Sequence, residues 1–318
     1  FDKLLFFYLF IWVGNFSYLS IPEGGVGEGW QTILRSKNIY GPYEKKVVLE
    51  QGNTTVNGPH QGALVDTPEG EWWFFHFQLT EPLGRVVHLQ PVCWMENWPV
   101  IGVDMDMNGI GEPVKVWTKP GVSKSVLVSH PQTTDDFNSY TLGLQWQFNH
   151  NPVNTHWSLN ERRGWLALKA LKAATLRESR NMLTQKCMGY LSTATVLLDF
   201  SALADGQRGG LFCTGSLYNG IGISREEGKN YLYLEKNGDV QQVKMVSGKK
   251  IYLRVMLDAK KNRCQLFYSF DNCNFILCGD AYSLKFGDWK GARVGLYSYN
   301  TLGIGGKCYF DWFNYDFN

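Results

Sequence analysis

The chain has 318 residues, with 31 Lys and Arg against 29 Asp and Glu, for a formal net charge of +2. That balance, with no basic run or stripe, argues against a nucleic-acid partner and an anionic membrane surface. The length suits either two domains or one large β domain. The 12 Trp, 16 Tyr, 19 Phe and 34 Gly favour many short strands joined by tight turns. Flat rings also cover the apolar faces of sugars, although most rings in such a chain belong to the core.

In chain order, the first feature is LLFFYLFIWV, Leu4 to Val13. It has the apolar character of a leader's central region, with Lys3 before it. No small-residue cleavage site follows, and the run is too short to span a bilayer. A buried strand, or a damaged or truncated start, is the expectation, with a leader as the lesser alternative. Next, FSYLSI and QTILRS read as a strand pair. GEWWFFHFQL (Gly70 to Leu79) and GRVVHLQPVCW (Gly84 to Trp94) read as adjacent strands of an antiparallel sheet. The Pro-Glu-Gly of DTPEGEW, Asp66 to Trp72, carries turn chemistry.

DMDMNGIGE, Asp104 to Glu112, places Asp104, Asp106 and Asn108 at the first, third and fifth positions of a calcium-loop pattern. Lys115 stands where that pattern needs a glutamate, so a hairpin turn closed by Asn108-Gly109 is expected instead. Thr118 to Phe137 is polar and weakly periodic, and is the candidate linker. Beyond it, GWLALKAL, ATVLLDFS, GGLFCTG, NYLYLEKNG, KKIYLRVMLDA, CQLFYSF, ARVGLYSYN and CYFDWFNYDF follow one another as short strands. That spacing predicts a two-sheet sandwich. Leu168 to Met182 alone is ambiguous between strand and helix. The seven cysteines (Cys93, Cys187, Cys213, Cys264, Cys273, Cys278 and Cys308) show no CxxC spacing. They read as free, mostly buried thiols, with a Cys273–Cys278 pairing left open.

For chemistry, the sequence has no GxSxG, no phosphate-binding glycine loop and no HExxH. Carboxylates remain, and glycoside hydrolysis is the reaction class that needs two of them across a sugar. The candidates by local setting are Glu23, Asp66, Glu71 and Asp104.

Three ordered segments then carry a resemblance: YLSIPEGGVGEGWQTILRSKNIYGPYE, GPHQGALVDTPEGEWWFFHFQ and LGRVVHLQPVCW. They resemble the later blades of family 43 glycoside hydrolases, the family of xylosidases and arabinofuranosidases. QWQFNHNPVNTHWSL and FGDWKGARVGLYSYNT resemble the concanavalin-like sandwich that follows the propeller in many members. The resemblance implies an all-β chain: the last blades of a five-bladed β-propeller over residues 1–117, a linker over 118–136, and a concanavalin A-like β-sandwich over 137–318. Five blades of about 40–60 residues do not fit the first region.

The resemblance also implies an inverting hydrolase of xylose- or arabinose-containing oligosaccharides and arabinoxylan fragments. It requires no cofactor, and a calcium ion can sit at the propeller centre. An extracellular or periplasmic parent protein is the implied setting. The base and the orienting aspartate of the family belong to earlier blades, and the acid glutamate belongs seventeen residues before Glu23, where Phe6 stands. By this count the catalytic carboxylates are missing, Glu23 is a weak catalytic candidate, and the chain is expected to be inactive alone. Residue by residue, Arg85, Trp30, Gln31 and Tyr218 match sugar contacts, Tyr218 as an aromatic sent from the sandwich to the pocket mouth. His60 matches a histidine beneath the pocket that faces a calcium ion or its water shell. The alternatives are a non-catalytic carbohydrate-binding sandwich protein, or an incompletely assembled product whose open propeller is unstable.

Overall fold

The computed structural model describes residues 9–121, 129–287, 290–303 and 305–318. Within them the chain is built of strands, and the one helical piece is a 3-10 turn at Asn154–His156. It divides into two compact units, residues 1–80 with 85–128, and residues 81–84 with 129–318.

The first unit holds two four-stranded antiparallel sheets, each an up-and-down meander in chain order. One consists of β1 (Leu9–Val13), β2 (Phe16–Glu23), β3 (Trp30–Ser36) and β4 (Glu44–Leu49). The other consists of β5 (His60–Asp66), β6 (Trp72–Thr80), β7 (Gly84–Met95) and β8 (Trp98–Ile101). Four-stranded meanders of this kind are the blades from which propellers are built. Alternation along the strands sends Tyr18, Ile33, Val48, Leu64, Phe74 and Ile101 into a shared apolar cluster. FSYLSI and QTILRS pair as expected, with Ser17 opposite Ser36 and Glu23 opposite Trp30.

Two expectations need correction here. The apolar start is an edge strand rather than a buried one. Ile11 and Val13 pack inward, while Phe10 is 41% and Trp12 59% exposed; Leu4 to Tyr8, including Phe6, lie outside the described residues. Period-two alternation on an edge strand leaves its second face to solvent. The 104–112 segment is not a two-residue Asn-Gly hairpin. Val103 and Glu112 exchange backbone hydrogen bonds at 2.9 and 3.0 Å, closing a longer loop. Asp104 organises that loop by accepting the N–H groups of Asn108 at 3.1 Å and Gly109 at 2.8 Å.

The second unit is a sandwich of two eight-stranded sheets. One sheet runs, edge to edge, through Trp157–Ser158, Leu166–Lys169, Lys307–Phe317, Leu191–Asp199, Lys250–Asp258, Arg263–Ser269 and Ile276–Leu277, with Tyr282–Ser283 also on Arg263–Ser269. The other runs through Asp239–Met245, Lys229–Lys236, Tyr218–Glu226, Gln207–Thr214, Arg293–Asn300, Leu183–Lys186 and Gln147–Phe148, with Leu171–Lys172 parallel to Arg293–Asn300. Alternate residues of the central strands, such as Val196, Leu253, Leu211, Ile221 and Leu296, are fully buried in one core between the sheets.

Residues 168–182 are not helical: Leu168 pairs with Cys308 and Leu171 with Tyr299 in strands, and Ala173 to Met182 have no regular structure. The sandwich is engaged before residue 137. The Thr133 hydroxyl donates to the Tyr315 carbonyl at 2.6 Å, and Asp135 exchanges backbone hydrogen bonds with Phe313; residues 122–128 of the expected linker are outside the described residues. All seven cysteines are free, with Cys273 exposed and Cys278 buried, so the 273–278 pairing is not made.

Candidate functional site

In the first unit the end of β2 and the start of β3 meet the start of β5. Gly29, at the close of the β2–β3 turn, makes this approach possible. A Cβ there would stand 2.6 Å from Nε2 of His60 and 2.7 Å from the carbonyl oxygen of Glu23. No side chain fits between the imidazole and the strand end. His60 itself is aimed by a register shift between His60 and Ala63, where β5 bulges against β6. The same shift leaves His60 opposite Phe77, with ring centroids 5.8 Å apart. The Arg85 guanidinium lies 4.5 Å above the Phe77 ring. Thus the Glu23 backbone and His60 meet at Gly29, and His60 and Arg85 meet at Phe77, while the Glu23 carboxylate itself turns to Trp30, Thr32 and Lys45.

Glu23 is tightly held. Its Oε1 accepts Lys45 Nζ at 2.7 Å, and its Oε2 accepts the Thr32 hydroxyl and Trp30 Nε1, the latter at 3.3 Å. The Lys45 hydrogen bond, then that of Thr32, hold its pKa below the usual value of 4.5. A general acid must keep its proton near neutral pH and needs a raised pKa. Glu23 is therefore an ionised, anchored carboxylate. Trp30 is 38% exposed, so one side of its ring faces solvent beside that carboxylate. Gln31 is fully buried, and its amide donates to Ser20 Oγ at 2.9 Å and to the Thr32 carbonyl at 3.2 Å.

His60 is 1% exposed. Its Nδ1 lies 2.8 Å from the Gly58 carbonyl, which makes Nδ1 the protonated nitrogen and Nε2 the acceptor. Burial, then the charge of Arg85, lowers its pKa and keeps the ring neutral. Nε2 has no hydrogen-bond partner among the described residues, and neither has Oε1 of Gln31. Buried acceptors left without partners in a folded chain call for an explanation, a ligand or water being the usual one. The residues do not themselves make a calcium site. Calcium takes about six to eight oxygen ligands, whereas His60 offers one nitrogen. No group of three His, Cys, Asp or Glu side chains converges among the described residues.

The other candidates fall elsewhere. Asp66 and Glu71 are exposed, and Glu71 accepts the Gly121 N–H at 2.8 Å. Asp104 is occupied in its loop. Tyr218 belongs to the sandwich unit and is not at an exposed loop tip. It is 5% exposed, stacks on Phe212 at 6.3 Å, and its hydroxyl accepts Asn149 Nδ2 at 3.0 Å.

Sequence reasoning missed Lys45 and a buried polar stack on β6 and β7. His76 lies between Phe74 and His88, 6.2 and 5.3 Å from them, with Gln90 Nε2 3.2 Å from its Nε2. Burial pulls the His76 pKa down to about 4, so it is neutral at pH 7. The signal available was alternation: in WWFFHFQL, His76 is in phase with buried Phe74.

Comparison with known proteins gives a consistent picture. Residues 134–316 match the beta xylosidase C-terminal concanavalin A-like domain, and residues 9–99 match glycosyl hydrolases family 43. A relative from Xylanibacter ruminicola is 52% identical over 278 residues, covering 87% of this chain and 52% of the relative. A beta-xylosidase from Formosa agariphila is 40% identical over 319 residues, covering 91% of this chain and 53% of that protein. The crystal structure of a family 43 protein from Bacillus licheniformis superposes with a TM-score of 0.83 at 26% identity, covering 97% of this chain and 64% of that one. The chain thus spans about half the length of the Xylanibacter and Formosa relatives.

Proposed function

Since this chain belongs to glycosyl hydrolase family 43 and carries the family's C-terminal concanavalin A-like domain, we propose that it contributes the sugar-holding wall of a hydrolase acting on xylose- or arabinose-containing oligosaccharides. The observation that carries this reading is a fixed carboxylate, Glu23, beside the partly exposed Trp30 ring, with the Arg85 guanidinium over the Phe77 ring in the same unit. Sugar hydroxyls both donate and accept, so such a set can orient a pentose without reacting with it.

In the whole hydrolase, one carboxylate activates water for attack at the anomeric carbon while a second, protonated carboxyl delivers its proton to the leaving oxygen. The configuration inverts, and the carboxyls stand about 6.5–9.5 Å apart. This chemistry needs water and protons and no cofactor. Glu23 takes neither role here, because its lowered pKa and its hydrogen bonds to Lys45 and Thr32 suit support. The general acid and base each contribute about 10²–10⁴-fold, so residues 1–318 alone are expected to turn over neither substrate measurably. The name of the Formosa relative supports xylose; the choice between xylose and arabinose rests on assay.

The test uses nitrophenyl xyloside and nitrophenyl arabinofuranoside with this chain and with a longer family member that shares its segments. Turnover is expected only from the longer protein. In that protein, substitution at the position of Arg85 by Ala should lower kcat/KM by about tenfold or more, as loss of a charged hydrogen bond implies. Clear turnover by this chain that vanishes in Glu23→Gln would overturn the reading.

A further inference from the structure

The sandwich unit holds a buried arginine, Arg293, that lines a cavity among other basic side chains. We propose that this cavity binds a small oxyanion of the phosphate or carboxylate type. Arg293 opens the strand Arg293–Asn300 and is 7% exposed. Neighbouring strands of the same sheet fix its guanidinium: Nε donates to Thr184 Oγ1 and Nη2 to Gln147 Oε1, both at 2.8 Å. The other terminal nitrogen, Nη1, makes no hydrogen bond among the described residues. It is not one of the buried polar atoms left without a partner either, so it keeps surface that a ligand can reach.

Buried charges in folded proteins are normally paired. Among the described residues no carboxylate pairs with Arg293. Burial pulls its pKa below the usual value, and the ionisable groups that act on it are Cys187 and Tyr218. The cavity has a volume of ≈ 220 Å³ and opens to solvent. That is several times the roughly 30 Å³ of one water, which leaves room for a phosphate-sized group. His150, Tyr218 and Lys290 line it beside Arg293, and its described lining holds no Asp or Glu. Arg177 brings a second guanidinium to within 5.8 Å of the Tyr218 ring. Glu178, next to Arg177 in the chain, accepts the Ala174 N–H at 3.3 Å. The charge selects the ligand class. A guanidinium with an ammonium beside it suits an oxyanion, whose several oxygens can each accept a hydrogen bond. A neutral ligand leaves the arginine's charge uncompensated, and a cation meets like charge.

This inference stands on the sandwich unit alone and does not depend on the proposed hydrolysis. The test titrates sodium phosphate into the full chain at constant ionic strength, with sodium acetate in a parallel series and sodium chloride as the control. Amide resonances and the melting temperature are followed. Saturable shifts are expected at Thr214, Gly215, Tyr218 and Arg293, and the anion that saturates first, phosphate or acetate, gives the preferred type. At ten times the dissociation constant the melting temperature should rise by about 2–4 °C. Arg293→Met removes the charge and strands no buried acceptor, because the Thr184 hydroxyl still donates to the Gln147 carbonyl at 2.9 Å and Gln147 is exposed. It should abolish the response and, without anion, melt no lower than the parent, since an unpaired buried charge is costly. Lys290→Ala, a surface change, should weaken binding about two- to fivefold, the range for an exposed ion pair. No saturable response to either oxyanion would overturn the proposal. So would a response that chloride reproduces at equal ionic strength, which is screening, or one that survives Arg293→Met. Should Arg293→Met fail to fold, binding indifferent to Lys290→Ala would overturn it as well.

Discussion

Glu23 is held as a carboxylate by a lysine, a threonine and a tryptophan, all of which donate to it. The carboxylate is partly open to solvent, so screening keeps its contribution small. Glu23→Gln is expected to cost about 0.5–1 kcal/mol at pH 7, the range for an exposed, well-formed ion pair. The pH dependence has a definite sign. The folded pKa lies below the ordinary 4.5, so the unfolded chain binds the proton more readily. The stabilisation is fully present above 4.5 and is lost as pH falls through the folded value. Urea unfolding of the two proteins should therefore diverge at neutral pH and converge in acid. A gap that persists or grows in acid would mean that Glu23 is not held as an ionised group. That Glu23 ends a strand beside a glycine turn was within reach of the sequence, since the EGG motif carries turn chemistry. The donor that fixes its charge was not: Lys45 is 22 residues away and arrives through the pairing of β3 with β4.

At the scale of elements, the stretch from Ala173 to Met182 illustrates how a segment without regular structure is fixed. Ala173, Leu176 and Met182 cover Phe212, Tyr233, Tyr297 and Tyr299 on the outer side of the second sandwich sheet. Glu235, fully buried beneath them, accepts the Leu176 N–H at 2.7 Å and the Tyr299 hydroxyl at 2.5 Å. Glu235→Ala strands both donors. At about 1–3 kcal/mol for each unsatisfied buried group, the expected loss is about 3 kcal/mol. Tyr299→Phe removes one partner and leaves the amide bond to the carboxylate, so it should cost about 1 kcal/mol. Denaturant midpoints would decide, and equal losses from the two substitutions would refute the account of Glu235 as the clamp. Apolar spacing in this stretch was ambiguous because its partners, Tyr299 and Glu235, lie 59 or more residues further along the chain. Most other strands were legible because they are short apolar or alternating runs, and Gly or Asn-Gly turns bound them.

For the whole molecule, the two units differ in how they close their cores. The sandwich buries its apolar residues between two sheets of its own. The first unit has a smaller cluster and two separate four-stranded sheets among the described residues. Unpaired sheet edges invite association with other chains. We predict that residues 129–318 expressed alone remain soluble and unfold in one cooperative transition, while residues 9–121 alone associate. Size-exclusion chromatography and thermal melts of the two pieces would test this, and a monomeric, cooperatively melting 9–121 would contradict it.

The sequence alone determined the all-β class, the order of the two regions and the family. Alternation, turn residues and motif order are local properties, carried by residues near one another in the chain. Tertiary structure alone decided the rest. It brought the Glu23 backbone against His60 through a glycine with no room for a Cβ, and it buried Tyr218, which the resemblance sent to a pocket mouth. It also left His60, Gln31 and Ser224 each with a buried polar atom that has no hydrogen-bond partner among the described residues. Whether a buried polar atom has a partner depends on what distant strands bring against it, and that is fixed only when the sheets close.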